Sequence, residues 1–354
     1  MGRMKADSAL EKKEKFGIFG ASLDALDLPE KVALKQAYVR SIKNRPDRGF
    51  ARDPYDAVKA SLEDQPFINS NVEWRGKVEV ESWLSPRPSV ADERFLTKDC
   101  FTDFLDGNGC FTFGGRVKSY VENNVHPSRP IMIGVDHSQT GGVLRYLTEY
   151  YRDPNVLIFD SHTDMVDFST KRSLFTSSFS KTPDTSPNIY ECGSFVDYIL
   201  SENVIKPERI WILGTQDLPE RTKTGEKDSY VRKLEGWVER GVHLISKWDL
   251  IRDGIPEDIE GPTYISMDMD VGSYSSVLAC RFMDRVGLEY EQIMDIIHSL
   301  STRIKEGKIL LLGMDMMEID VHFLEAEISG RRDCTLKIIR NIFEELICCA
   351  AKAN

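Results

Sequence analysis

The chain has 354 residues, 41% of them hydrophobic and 29% charged, enough to bury a core without disulfides. A net charge of -11 works against nucleic acid, whose phosphates call for clustered Lys and Arg, and fits a cationic substrate better. No apolar run approaches the roughly 20 residues that span a bilayer, which argues against a membrane role, and seven cysteines without a Cys-x-x-Cys pair argue against a disulfide framework or zinc ribbon, so the expected location is cytoplasmic.

Residues 1–15 are charged, lack the apolar core of a signal peptide and read as a flexible leader, with one domain over 16–354. A short apolar run at 16–20 predicts the first strand and 29–42 the first helix. The stretch 44–113, punctuated by Pro46, Pro54, Pro66, Pro86 and Pro88, reads as an irregular insertion. From there apolar runs alternate with amphipathic stretches: strands at 130–134, 156–160, 209–214, 242–245, 263–267 and 309–314, helices at 141–151, 195–201, 228–240, 290–304 and 333–351. Segments 167–187 and 272–286 read as long loops. This is the pattern of an α/β protein with three layers, α-β-α, around a mostly parallel central sheet, in which ligands bind outside the carboxyl ends of the strands.

Three polar clusters sit where apolar strands end: Asp136 and His137; Asp160, His162 and Asp164; Asp268 and Asp270. Side chains two residues apart on an extended chain project to one face, so Asp160, His162 and Asp164 can point together into one crevice, as can Asp268 with Asp270. Four carboxylates gathered there would repel one another unless cations neutralised them. Oxygen and imidazole donors without cysteine suit manganese, and also iron, cobalt, nickel or zinc, while arguing against a thiolate site.

These segments resemble the signature motifs of the arginase, agmatinase and formiminoglutamase superfamily. Gly-Val-Asp-His-Ser (134–138) stands for Gly-Gly-Asp-His-Ser, Asp-Ser-His-Thr-Asp (160–164) for Asp-Ala-His-x-Asp, and Ser-Met-Asp-Met-Asp (266–270) for Ser-x-Asp-x-Asp. The likeness extends from Phe16-Gly17-Ile18-Phe19-Gly20 to Gly313-Met314-Asp315-Met316-Met317-Glu318 and is thin over 44–113. The resemblance implies an arginase-like fold and two manganese ions per chain: one on His137, Asp160, Asp164 and Asp268, the other on His162, Asp160, Asp268 and Asp270, with Asp160 and Asp268 bridging. It implies that a hydroxide shared by ions about 3.5–4 Å apart attacks the guanidinium carbon. Asp164 would orient that hydroxide and Glu318 would pair with the guanidinium group, releasing urea and an amine such as ornithine. Related proteins form trimers or hexamers, so a homo-oligomer is expected.

The sequence departs from the family in two places. Where a proton-shuttling histidine is usual, Glu191-Cys192-Gly193 stands instead, making Cys192 a shuttle or a packed thiol, with His322 as a substitute. The loop that would grip the α-carboxylate and α-amino groups of free arginine is not reproduced in Met165-Val166-Asp167-Phe168, where Asp167 is the candidate substrate contact. Asp-Ser-His and Val271-Gly272-Ser273-Tyr274 are similar to the peptide arginases, so a small guanidino compound and an arginine-containing peptide both stand as substrates. The alternatives are agmatine or another guanidino compound, formiminoglutamate with formamide as product, and a metal-binding scaffold without turnover.

Overall fold

The structure is a computed structural model that describes residues 15–43, 52–165, 190–216, 229–282 and 286–352. Eight strands form one sheet: β1 (Phe16–Ala21), β2 (Val72–Lys77), β3 (Arg129–Gly134), β4 (Asn155–Phe159), β5 (Ile210–Thr215), β6 (His243–Ser246), β7 (Gly261–Asp268) and β8 (Ile309–Met317). Their order is β2-β1-β3-β8-β7-β4-β5-β6, and every pair runs parallel. The seven strands read from apolar runs are all present. β2 lies in the stretch read as irregular, together with α2 (Pro54–Leu62), α3 (Pro66–Asn71) and α4 (Lys98–Asp106). It escaped notice because it is an edge strand, Val-Glu-Trp-Arg-Gly-Lys, of which only Val72 is buried; the charges that blunt an edge erase the apolar signal.

Because successive strand residues face opposite sides, the sheet feeds two cores. Ile131, Ile133, Leu157, Phe159, Ile265 and Met267 pack in one layer with α10 (Tyr290–Lys305) and α11 (Thr335–Ala350). Met132, Val156, Ile158, Ile212, Tyr264 and Leu312 face the other, with α1 (Pro29–Lys43), α5 (Gly109–Tyr120), α6 (Thr140–Tyr150), α7 (Phe195–Ser201) and α8 (Ser229–Glu239). Helix α11 shows how sequence fixes a docked face: Ile338, Ile339, Ile342, Phe343, Leu346 and Ile347 recur at three- and four-residue spacing and all are buried. Helix α9 (Lys247–Asp253) follows β6 and starts on a Ser246 cap. The three-layer α/β architecture is therefore the one the periodicities predict. Among the described residues no helix is long and apolar enough to cross a membrane, and all seven cysteines are free.

Gly134 has to be glycine for packing reasons. A Cβ there would stand 2.5 Å from the Met317 side chain and 2.9 Å from the Ala21 carbonyl, so the β1, β3 and β8 ends could not close up beneath the site.

Candidate metal centre

Strands β3, β8, β7 and β4 are consecutive neighbours, and the three polar clusters plus Glu318 leave their carboxyl ends. Register does the rest. Phe159 pairs with Met267, so the next residues, Asp160 and Asp268, emerge side by side, and Asp268 is level with Met317, immediately before Glu318. The chain turns sharply at Asp164 (φ 50°) and at Glu318 (φ 58°), left-handed conformations that cost a non-glycine residue on the order of 1–3 kcal/mol and gather at functional sites.

Two ligand groups result. In the first, His137, Asp160, Asp164 and Asp268 each offer one donor, all within 4.8 Å of one another; in the second, Asp160, His162 and Asp270 do the same. His137 Nδ1 lies 3.2 Å from Asp160, 3.0 Å from Asp164 and 3.0 Å from Asp268, yet is aligned for a hydrogen bond with none of them. Its lone-pair direction therefore points between three carboxylates, as a ligand to a shared cation would. Asp160 joins both groups, one oxygen toward His137 and the other 2.6 Å from the His162 amide. Asp268, expected to bridge as well, belongs only to the first group: its Oδ1 accepts from the Asp270 amide at 2.9 Å, capping its own turn. His162, 2.9 Å from Asp270, has 40% of its side chain exposed whereas His137 is sealed, so the crevice opens on the His162 side.

A second ring of contacts selects the His137 tautomer. Ser266 Oγ donates its single proton to Asp315 at 2.6 Å, so at 2.9 Å it can only accept from His137 Nε2–H, which leaves Nδ1 free to ligate. Asp315 is fully buried and held further by Thr140 and Tyr264, each at 2.8 Å.

The electrostatics also call for cations. Burial and then the Asp270 charge push Asp268 up to about 8, while burial and then the Asp160 charge push Asp270 up to about 7. Burial followed by the Asp160 charge likewise drives Asp164 well up. Burial alone would raise Asp160 too, but the His137 and His162 rings beside it outweigh burial and hold that carboxyl low. Burial would lower His137, yet the three carboxylates around it raise it well above its ordinary value. Hard oxygen and imidazole donors, packed too closely to ionise together, fit divalent ions.

A pH dependence follows. The folded metal-free chain keeps protons on Asp268 and Asp270 that the unfolded chain releases near pH 4, so these groups reduce stability as pH rises from about 4 through about 8. His137, raised, contributes stability below its unfolded value that is lost as pH climbs through its folded one, the same direction. Ions that displace these protons bind more tightly with rising pH. Adding Mn2+ is expected to lift the thermal midpoint by about 5 °C or more at pH 8.5 and by almost nothing at pH 5, read by calorimetry; a larger lift at pH 5 would contradict this electrostatic picture.

The other residues singled out in the sequence divide. Glu318 is buried beside the first group, its Oε1 accepting from the His137 amide at 3.1 Å while Oε2 has no hydrogen-bond partner among the described residues. Burial, only partly offset by Arg281, pushes its carboxyl up to about 8. Cys192 is buried within electrostatic reach of Arg281. His322 is in neither ligand group; its Nε2 donates to the Pro86 carbonyl at 3.1 Å and its ring meets Tyr38 edge-on. Asp167 lies outside the described residues. Sequence reasoning missed Arg281 and the role of Asp315. A lone aspartate within the apolar run Leu311-Leu312-Gly313-Met314-Asp315-Met316-Met317 was the available signal, since a carboxyl buried in a sheet has to be hydrogen-bonded.

A parallel sheet carrying a carboxylate and imidazole crevice at the ends of its central strands defines a candidate binuclear metal centre in an α/β protein. The sequence model of the Arginase family matches residues 67–343, and the chain belongs to that family. Solved structures of similar fold include proclavaminate amidino hydrolase from Streptomyces clavuligerus (16% identity, 96% of this chain and 93% of that one, TM-score 0.59). Arginase from Bacillus cereus (14%, 94% and 98%, 0.58) and a hypothetical agmatinase from Burkholderia thailandensis (14%, 96% and 86%, 0.55) are also similar. No curated protein matches the chain.

Proposed function

We propose that this chain is a manganese-dependent ureohydrolase that cleaves a terminal guanidino group, that of arginine either free or as a residue in a peptide, into an amine and urea. The observation that carries the reading is the junction of two ligand groups through Asp160, with Glu318 against the first of them and one of its oxygens unpartnered. The donor set would hold one ion on His137, Asp160, Asp164 and Asp268 and the other on Asp160, His162 and Asp270. What divalent ions supply when bound there is activation of water at neutral pH and Lewis acidity.

The protein's own groups account for selection and geometry. With two divalent charges balancing Asp160, Asp164, Asp268 and Asp270, the next shell sets Glu318, Asp136, Asp24 and Asp320 against Arg281, Lys35 and Lys31. Carboxylates outnumber bases around the crevice, and this excess of negative charge supports an amidine cation over a neutral or anionic substrate. In this reading Glu318, whose backbone is left-handed, holds that cation, and Asp164, a member of the first ligand group, orients the attacking water and takes its proton.

The test is to incubate manganese-loaded protein with arginine, agmatine, N-acetyl-arginine amide and formiminoglutamate, and to assay urea and formamide. Urea from arginine or its peptide form supports the reading. Formamide alone reassigns the bond cleaved, and silence across the set with two ions bound leaves a metal-binding scaffold.

A further inference from the structure

The chain carries a guanidinium of its own at Glu318. Arg281 sits in the loop that follows the third metal motif, and its side chain is only 2% exposed. Its Nη1 donates to the Val135 carbonyl at 3.0 Å and to Glu318 Oε1 at 3.2 Å, with Asp136 Oδ2 at 3.5 Å; Nη2 lies 3.4 Å from Asp24. Lys35 holds Asp24 from the other side at 3.1 Å. Loop and strand end are also joined through the backbone. The Arg281 amide donates to the Glu318 carbonyl at 2.8 Å, Asp320 N donates to Ala279 O at 3.1 Å, and Cys280 bridges to Ile319. The base of the loop is closed where Gly287 meets Gly272 so tightly that a Cβ would lie 2.2 Å from backbone.

We infer that Arg281 is a positioning residue for substrate recognition, one that occupies Glu318 Oε1 and so leaves Oε2 as the only oxygen through which Glu318 receives a guanidino group. The inference rests on the function proposed above and deepens it. Oε1 already accepts from the His137 amide and from Arg281, whereas Oε2 is buried with no hydrogen-bond partner among the described residues. A carboxylate pinned by two donors on one oxygen has its plane set, and the other oxygen is aimed. The substrate guanidinium is then gripped through one oxygen instead of the two-point fork that a free carboxylate offers. Arg281 is not an exchangeable plug: pulling it out would leave Glu318 and Asp136 as buried carboxylates without their basic partner. It stays in place while substrate binds beside it.

The experiment uses the full-length, manganese-loaded protein and the variants Arg281→Lys and Arg281→Gln. Each is characterised for metal content, thermal midpoint, kcat and KM with L-arginine, agmatine and N-acetyl-arginine amide. Lysine keeps the charge but not the fork, and glutamine keeps a donor but not the charge. A positioning role predicts that Arg281→Lys retains two ions and nearly the wild-type midpoint while KM rises about 10- to 100-fold, the worth of one hydrogen bond to a charged group. kcat should fall by less than that, and Arg281→Gln should be worse in KM. Unchanged KM in both variants overturns the inference. So does loss of ions and fold in both variants, which would make Arg281 a structural strut. If the wild type turns over none of the three compounds, the proposed function fails and this inference with it; if the wild type is active and the variants match it, the inference alone fails.

Discussion

Asp160→Asn is expected to lower turnover by at least about a thousandfold, some 4 kcal/mol of lost transition-state stabilisation, with the secondary structure intact. Asp160 is the one side chain common to both ligand groups, so its change disturbs both ion positions, whereas any other ligand touches one. Asparagine preserves the shape and one carbonyl oxygen but offers an amide nitrogen, which cannot ligate, on the other side. The second oxygen is the critical one, since Oδ1 also anchors the His162 amide at 2.6 Å and Oδ2 faces His137 at 3.2 Å. The checks are steady-state rate, circular dichroism and metal content by mass spectrometry. A variant that kept two ions and ordinary turnover would show that Asp160 does not join the two positions.

Glu318→Gln separates substrate recognition from metal binding. Glu318 belongs to neither ligand group, so the variant should still take up two ions. It should lose about 10- to 100-fold or more in kcat/KM for a guanidino substrate, because a neutral amide replaces the carboxylate that pairs with the cation. Arg281 keeps Asp136 and Asp24 as partners in that variant, so the fold should survive. Kinetics beside metal analysis decide the matter. If metal content falls in step with activity, Glu318 serves the ions; if neither falls, the guanidinium is held elsewhere.

How far the sequence could be read depended on where each signal lived. Strands buried on both faces announce themselves, and β3, β4, β7 and β8 were legible as apolar runs such as Val156-Leu157-Ile158-Phe159. The polar residues at their ends were legible for the same reason, as interruptions an apolar strand end does not need. Adjacency was not. That β8 inserts between β3 and β7, placing Glu318 beside His137, is a property of sheet order and not of local pattern. The family resemblance supplied the expectation that the motifs meet. β2 was hidden by the charges an edge requires. Arg281 was hidden because its meaning lies in partners 37, 145 and 257 positions away in the chain, Glu318, Asp136 and Asp24, and a single arginine in a loop reads as surface. His322 illustrates the converse: four residues from Glu318 in sequence, its ring is committed to Pro86 and Tyr38. Sequence proximity to a site is poor evidence of membership in it when the intervening chain turns.

In the proposed centre His137, the triplet Asp160, His162 and Asp164, and the pair Asp268 and Asp270 together hold two divalent ions. Anomalous diffraction at the manganese edge from crystals soaked in Mn2+ tests it directly. Two peaks are expected in the crevice beyond β3, β7 and β4, one against His137 and one against His162. A single peak, or manganese bound only elsewhere on the molecule, would contradict it.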